Sequence, residues 1–226
     1  MSRLVWAEQK LDYEFSDPSL LELALTHRSA SKKNNERLEF LGDSFLNFAV
    51  ARQLYRIRGE DAEGDLSRLR AFLVRGSTLA DIGRDLGLDK HLILGSGELR
   101  SGGSRRDSVL ANCVEALIGA VLLDGGFDAA NAFINRLFEN RLGNLPDAEN
   151  LKDSKTRLQE WLQGCGRALP DYAVESSSGE PHQRIFTVVC SVADEDRRAR
   201  GIGPSRRKAE QDAAERMLAI LIGDTE

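Results

Sequence analysis

Residues 38–50 read LEFLGDSFLNFAV. The stretch is mostly apolar, carries Glu39 and Asp43, and contains no cation. Counting back to Glu36 gives acids at i, i+3 and i+7, one face of an α-helix. A second stretch, Val109–Leu123, reads VLANCVEALIGAVLL, and Glu115 is its one charged residue. A helix that apolar is buried nearly all round, and a carboxylate in it is costly unless paired or bound to a metal. Asn112 and Glu115 lie at i and i+3, again on one face. Packing the two helices together would bring Glu39, Asp43, Asn112 and Glu115 into one small volume. Three carboxylates and an amide are hard oxygen ligands, suited to Mg²⁺ or Mn²⁺. A cation held this way suits phosphoryl-transfer chemistry. The alternative is that an arginine from elsewhere in the fold satisfies these acids, and that Glu36, beside Arg37, only faces solvent.

Working outward, the chain to about residue 145 is rich in Leu and Ala at helical spacing. Ser19–Ala24, Arg37–Arg58, Asp65–Leu86, Ser108–Leu123 and Ala129–Leu142 are predicted helices, with Asp17-Pro18 a helix start. Lys32–Asn35, Arg58–Gly64 and the glycine-rich Gly95–Ser104 read as turns, and no strand alternation is visible. The polar GNLPDAENLKD over Gly143–Asp153 reads as a connector, with 146–152 the linker between domains 1–145 and 153–222. Beyond it, Ser154–Gly164 is a predicted amphipathic helix. Asp171–Ser176, Arg184–Val192 and Arg197–Gly201 are predicted strands, and Pro204–Ile222 a closing helix. The order of this second domain is α-β-β-β-α.

Composition sets outer bounds. The 226 residues include 31 Lys+Arg and 36 Asp+Glu, 30% charged and 41% hydrophobic, which is a globular composition. No apolar run reaches the roughly 18 residues of a membrane span, and no secretory leader is visible at the N-terminus. Three widely spaced cysteines exclude a disulfide framework and a cysteine-built zinc site, and fit a reducing, cytoplasmic setting. A net charge of -5 argues at first sight against a polyanionic partner. Residues 1–149 hold 19 cations and 23 acids, and residues 150–226 hold 12 and 13. Neither part is basic overall, so a nucleic-acid surface has to be local.

One local surface is legible. Gly203–Glu210, GPSRRKAE, enters the last helix with Arg206, Arg207 and Lys208 near its N-terminus. Cations oppose the macrodipole there unless an anion joins them, and a phosphate is the natural anion. Thr156, Gln159 and Glu160 share one side of the preceding helix, where polar groups can meet 2′-hydroxyls, and His182 sits in the turn between the first two strands. Arg105 and Arg106 follow Gly102-Gly103 and are plausible phosphate contacts. His27 reads equally as a capping residue or a substrate contact, and His91 is assigned no role.

Asn35–Ser44, NERLEFLGDS, resembles the signature decapeptide of the ribonuclease III family. Thr26–Ser29 (THRS), Glu63–Arg70 (EGDLSRLR), Val74–Leu79 (VRGSTL), Gly97–Ser108 (GELRSGGSRRDS) and Glu115–Gly119 (EALIG) resemble family blocks in family order. Residues from about Leu11 to Leu142 are similar to its catalytic domain, and those from about Asp153 to Leu221 to its double-stranded-RNA-binding domain. The resemblance implies an all-α catalytic domain joined to a small α+β RNA-binding domain. It also implies a Mg²⁺-dependent endonuclease for double-stranded RNA, with Mn²⁺ able to substitute. The family forms a homodimer through its catalytic domains and leaves 5′-phosphate ends with short 3′ overhangs; bacterial members process ribosomal-RNA precursors and some messenger RNAs. By motif match, Asp43 and Glu115 are essential catalytic acids, and Glu39 and Glu115 are metal ligands, with Asn112 where the family usually has Asp. Glu36 and Glu63 match supporting acids. Asn112 keeps a carbonyl ligand but removes one negative charge, leaving open either a working enzyme with weaker metal binding or a binding-only relative.

Overall fold

The computed structural model describes residues 3–180, 183–193 and 197–223. It divides into two compact units, Met1–Leu151 and Lys152–Glu226. His182 lies outside the described residues.

The first unit is helical. A short helix α1 (Arg3–Trp6) runs into a wider turn over Ala7–Leu11 and is followed by α2 (Pro18–Leu25), α3 (Glu36–Ile57), α4 (Glu63–Val74), α5 (Gly76–Asp85), α6 (Ser96–Arg100) and α7 (Asp107–Gly143). Asp17 starts α2 as expected: its Oδ1 accepts from the Ser19 N–H at 2.9 Å, and Pro18 takes the first turn, where its missing N–H costs nothing. Three expectations need correction. The single helix predicted over Asp65–Leu86 breaks at Arg75, whose ψ of 148° is extended. The break is held by the Arg75 guanidinium over the Phe72 ring at 4.3 Å, and by the Thr78 hydroxyl donating to the Phe72 carbonyl at 3.1 Å. The two helices predicted at Ser108–Leu123 and Ala129–Leu142 form one run, kinked at Gly126, whose φ of 76° favours glycine. The supposed loop Gly95–Ser104 contains α6 and most of a 3-10 turn at Gly103–Arg105. Thr26 and Ile93 form an isolated parallel bridge, and no strand occurs among the described residues of this unit, as expected.

The core of this unit gathers around α7, which packs on α2, α3 and α5. By length and composition α7 could cross a bilayer, but most of its apolar stretch is buried inside this unit. Part of the stretch read as a linker is packed: Ala148 is buried, and Leu145 and Leu151 lie against the same core. Apolar residues at intervals of three fold this otherwise polar segment back.

The second unit contains α8 (Ser154–Gly164), an antiparallel sheet β1 (Pro170–Ser178), β2 (Ile185–Val192) and β3 (Arg198–Gly203) in that order, and α9 (Arg206–Gly223). Val188, Cys190 and Val192 alternate inward from β2, and with Leu158, Leu162, Ala213 and Met217 they are fully buried. Gly201 and Gly203 let α9 approach the sheet, since a β-carbon at either would overlap α9 backbone.

Candidate active site and RNA-binding surface

The acids meet where α3 crosses α7. A β-carbon at Gly42 would overlap the Glu115 carbonyl, and one at Gly119 would overlap the Leu38 carbonyl. The helices therefore touch backbone to backbone, one turn from the side chains of interest. Glycine inside a helix costs up to about 1 kcal/mol relative to alanine, and here the close approach is what it allows. Two glycines on the acid-bearing helices, one in each quoted motif, were the sequence signal for this contact.

Burial along α7 singles out the expected site. From Val109 to Val121 every residue is buried except Asn112 and Glu115, which are half-exposed. On α3, Glu39 is half-buried, whereas Glu36 and Asp43 are exposed. Glu36, Glu39 and Asn112 line a surface cleft, and Glu39, Asp43 and Glu115 are close enough for their charges to interact. Burial, followed by the charges of Asp43 and Glu39, pushes the Glu115 carboxyl up to about 7. Burial also holds Glu39 above the usual carboxylate range; a hydrogen bond from Asn112 opposes this, Glu36 and Asp43 add to it, and Arg28 works against it. Among the described residues, no cation shifts Glu115 or is paired with it. The Asn47 amide donates to Asp43 Oδ1 at 2.8 Å and orients that carboxylate.

Glu36 forms a loose pair with Arg28, 3.6 Å apart. Glu63 opens α4, where it is exposed and accepts from the Ser67 hydroxyl at 2.7 Å; no described contact joins it to the cleft. Among the described residues, no three His, Cys, Asp or Glu side chains enclose a metal by themselves. The donor set still fits a hydrated divalent cation, because Mg²⁺ keeps several waters and needs only one or two carboxylates plus phosphate oxygens. Glu39, Asn112 and Glu115 supply such a set.

Of the two arginines expected on RNA in this unit, Arg106 is engaged, donating to Glu98 at 2.8 Å and to the Ser101 hydroxyl at 3.1 Å, while Arg105 is exposed. Glu98 also sits over Gly103, so Arg106 fastens the loop that presents Arg105.

In the second unit, Asp153 caps α8 by accepting from the Lys155 and Thr156 N–H groups at 3.1 Å, and the Thr156 hydroxyl donates to it at 3.2 Å. Gln159 and Glu160 are exposed, with Glu160 paired to Lys152. The cations at the start of α9 are unequal. Arg206 donates to Glu210 at 2.8 Å, and the other oxygen of Glu210 takes Lys155 at 2.7 Å. The Lys155 ammonium also lies 4.2 Å over the Tyr172 ring. Glu210, held below the usual carboxylate range by Lys155 and then Arg206, ties α8 to α9. Arg207 and Lys208 are exposed. This clamp carries no family-block signal and was not anticipated.

The comparisons with known proteins agree with this division. Residues 17–142 match the ribonuclease-III-like family model, and residues 154–221 the double-stranded RNA binding motif. The chain is 54% identical over 220 residues to a Nitrosococcus oceani protein named Ribonuclease 3, covering 96% of this chain and 94% of that one. It is 54% identical over 212 residues to the Vibrio cholerae protein of that name, covering 94% of each. A solved nuclease domain of Campylobacter jejuni ribonuclease III superposes with a TM-score of 0.60 at 44% identity, covering 62% of this chain and 98% of that one. Its description refers to a region involved in dimer formation. With the helical crossing that gathers the acids, and an α-β-β-β-α unit later in the sequence, the chain belongs to the ribonuclease III family of endoribonucleases and carries a double-stranded-RNA-binding motif.

Proposed function

We propose that this protein is a Mg²⁺-dependent enzyme that cuts both strands of duplex RNA and leaves 5′-phosphate ends with short 3′ overhangs. The observation that carries this reading is Glu115: a half-buried carboxylate raised to about 7, facing two further acids and no cation. Such a group calls for a divalent ion. Glu39, Asn112 and Glu115 would hold it, with Mn²⁺ able to substitute. Bound there, the ion would lower the pKa of water and stabilise the departing 3′ oxygen. Asp43, exposed and oriented by Asn47, would receive a proton from the attacking water. Glu36 and, more distantly, Glu63 act as supporting acids.

Asn112 does not disqualify the site, since its amide hydrogen-bonds to Glu39 and keeps one oxygen ligand in place. The duplex would be held by Thr156, Gln159, Glu160, His182 and Arg206–Lys208, with Arg105 contributing from the nuclease unit. A two-fold homodimer would address the two strands. It is supported by an exposed apolar face on α3 and α7, where Phe40, Phe48, Tyr55, Leu123 and Phe127 are 44–76% exposed. We assign the enzyme to the cytoplasm and to the processing of ribosomal-RNA precursors and some messenger RNAs. Incubating the protein with a long RNA duplex, with and without Mg²⁺ or Mn²⁺, and mapping the product ends tests the reading. Binding without cutting across both metals would leave only the RNA-binding class.

A further inference from the structure

A heavily fastened loop in the nuclease unit is Thr26–Ser29, between α2 and α3. The Thr26 carbonyl accepts from the Asn35 N–H at 2.9 Å, and the His27 N–H donates to the Ile93 carbonyl at 2.9 Å. The Thr26 hydroxyl donates to the Glu22 carbonyl at 2.7 Å. The side chain of Asn35, itself buried, donates to the Ala24 carbonyl at 3.2 Å. On the far side, the Gly95 N–H donates to the Ser29 hydroxyl at 3.0 Å, and the two chains approach so closely that a β-carbon at Gly95 would overlap the Ser29 carbonyl. All these bonds fix backbone or the flanking Thr and Ser. None of them uses the imidazole or the guanidinium that the loop displays.

Those two groups line a cleft together with Asn35, Glu36, Glu39, Ser108, Val109 and Asn112. The imidazole is pre-set as a donor. Its Nδ1 accepts from the Ser29 N–H at 3.2 Å and lies 2.8 Å from the Ser29 hydroxyl. Within the neutral ring, this arrangement leaves the N–H on Nε2. Among the described residues, the guanidinium of Arg28 is paired with Glu36 alone, at 3.6 Å, with side chains 72% and 55% exposed. A pair that open contributes little and is given up cheaply to a stronger anion.

We infer that His27 and Arg28 form a phosphate subsite beside the acid cleft, which grips a backbone phosphate of the strand being cut, next to the one that reacts. The inference rests on the endonuclease reading above. It also gives Glu36 a second task, since it parks Arg28 at the cleft until RNA arrives. The geometry favours a phosphate over a base edge, because a rigid loop offers a forked donor and one N–H at a place where acids would repel an approaching strand.

The test is single-turnover cleavage of a duplex by wild type, Arg28→Ala and Arg28→Lys, beside duplexes carrying one uncharged methylphosphonate at successive positions of the cut strand. Arg28→Ala should slow cleavage about 10- to 100-fold, the range of a hydrogen bond to a charged group, and Arg28→Lys should recover part of it. At one position adjoining the cut, the neutral linkage should slow wild type by a similar factor and Arg28→Ala not at all. His27→Gln should show the same coupling with a smaller loss. Arg28 is exposed, so its variants should melt with wild type. If Arg28→Ala cuts as fast as wild type, or if its loss is unchanged at every neutral linkage, the subsite is refuted. A wild-type protein that cuts no duplex at all would refute the endonuclease reading and the subsite with it.

Discussion

In the proposed function the α3–α7 crossing and the α8–α9 junction both meet phosphate, and their charges are arranged in opposite ways. At the crossing, Glu39, Asp43 and Glu115 converge without a partner for Glu115, and burial raises its carboxyl to about 7. At the junction, Glu210 sits between Lys155 and Arg206 and is lowered by both. The first arrangement is frustrated until a cation joins it. The second is already balanced, so its remaining cations, Arg207 and Lys208, can serve RNA on an exposed helix end. On the proposed function, the first site would answer to a divalent ion and the second to salt.

The largest effect should come from removing the frustrated acid. Glu115→Gln should cut duplex RNA on the order of 10³-fold more slowly, the scale of removing a preorganised electrostatic group, while binding duplex like wild type. The same change should help the metal-free fold. Because the folded pKa is raised from 4.5 to about 7, the contribution of Glu115 to stability is fully present below pH 4.5 and is lost as pH rises through 7. Discounted for its partial exposure, the cost at pH 8 is on the order of 1 kcal/mol. Thermal melts at pH 8 without metal should thus place Glu115→Gln roughly 2–4 °C above wild type. Added Mg²⁺ should raise the wild-type midpoint and leave that of the variant nearly unmoved. A variant that melts lower would mean that the crossing is not strained by charge.

Next comes the backbone contact that creates the crossing. Gly119→Ala forces α3 away from α7 and should destabilise the nuclease unit by about 1–3 kcal/mol, as overpacking does. Cleavage should fall further than the unfolded fraction explains, which denaturant titration alongside kinetics would resolve.

At the junction, effects should be smaller and salt-dependent. Arg207→Ala or Lys208→Ala should each reduce the slope of log affinity against log salt by about 1. Arg206→Ala should change the slope less, because Glu210 already holds part of that charge. Equal slopes for all three would show that the Glu210 clamp does not sort them. The smallest expected change is Asn112→Asp, which should leave cleavage equal or faster and lower the Mg²⁺ needed for half-maximal rate. A large loss would mean that the amide is not a passable ligand.

Much of this was legible in the order of residues. Helical spacing placed Glu36, Glu39 and Asp43 on one face and Asn112 with Glu115 on another, and the apolar run around Glu115 marked a helix that the core would surround. The alternation in β2 and the Arg206–Lys208 triplet were equally local signals. The break at Arg75, the kink at Gly126, the α6 turn and the packing of Ala148 were not legible, because each depends on a partner distant in sequence or on one backbone angle. The exposure of Asp43 and the separation of Glu63 from the cleft belong to the same group.

The sequence by itself determined which side chains could do chemistry and on which helical faces they lie, since a period of 3.6 residues is fixed by the backbone alone. Only the tertiary structure decided how those faces meet. Gly42 and Gly119 set the approach of two helices about 70 residues apart, and that approach raises Glu115 to about 7. Likewise, Glu210 ties back one of three adjacent cations and leaves Arg207 and Lys208 exposed, because Lys155 reaches it from another helix. Burial and charge act through space, so the strength of each site was settled by packing.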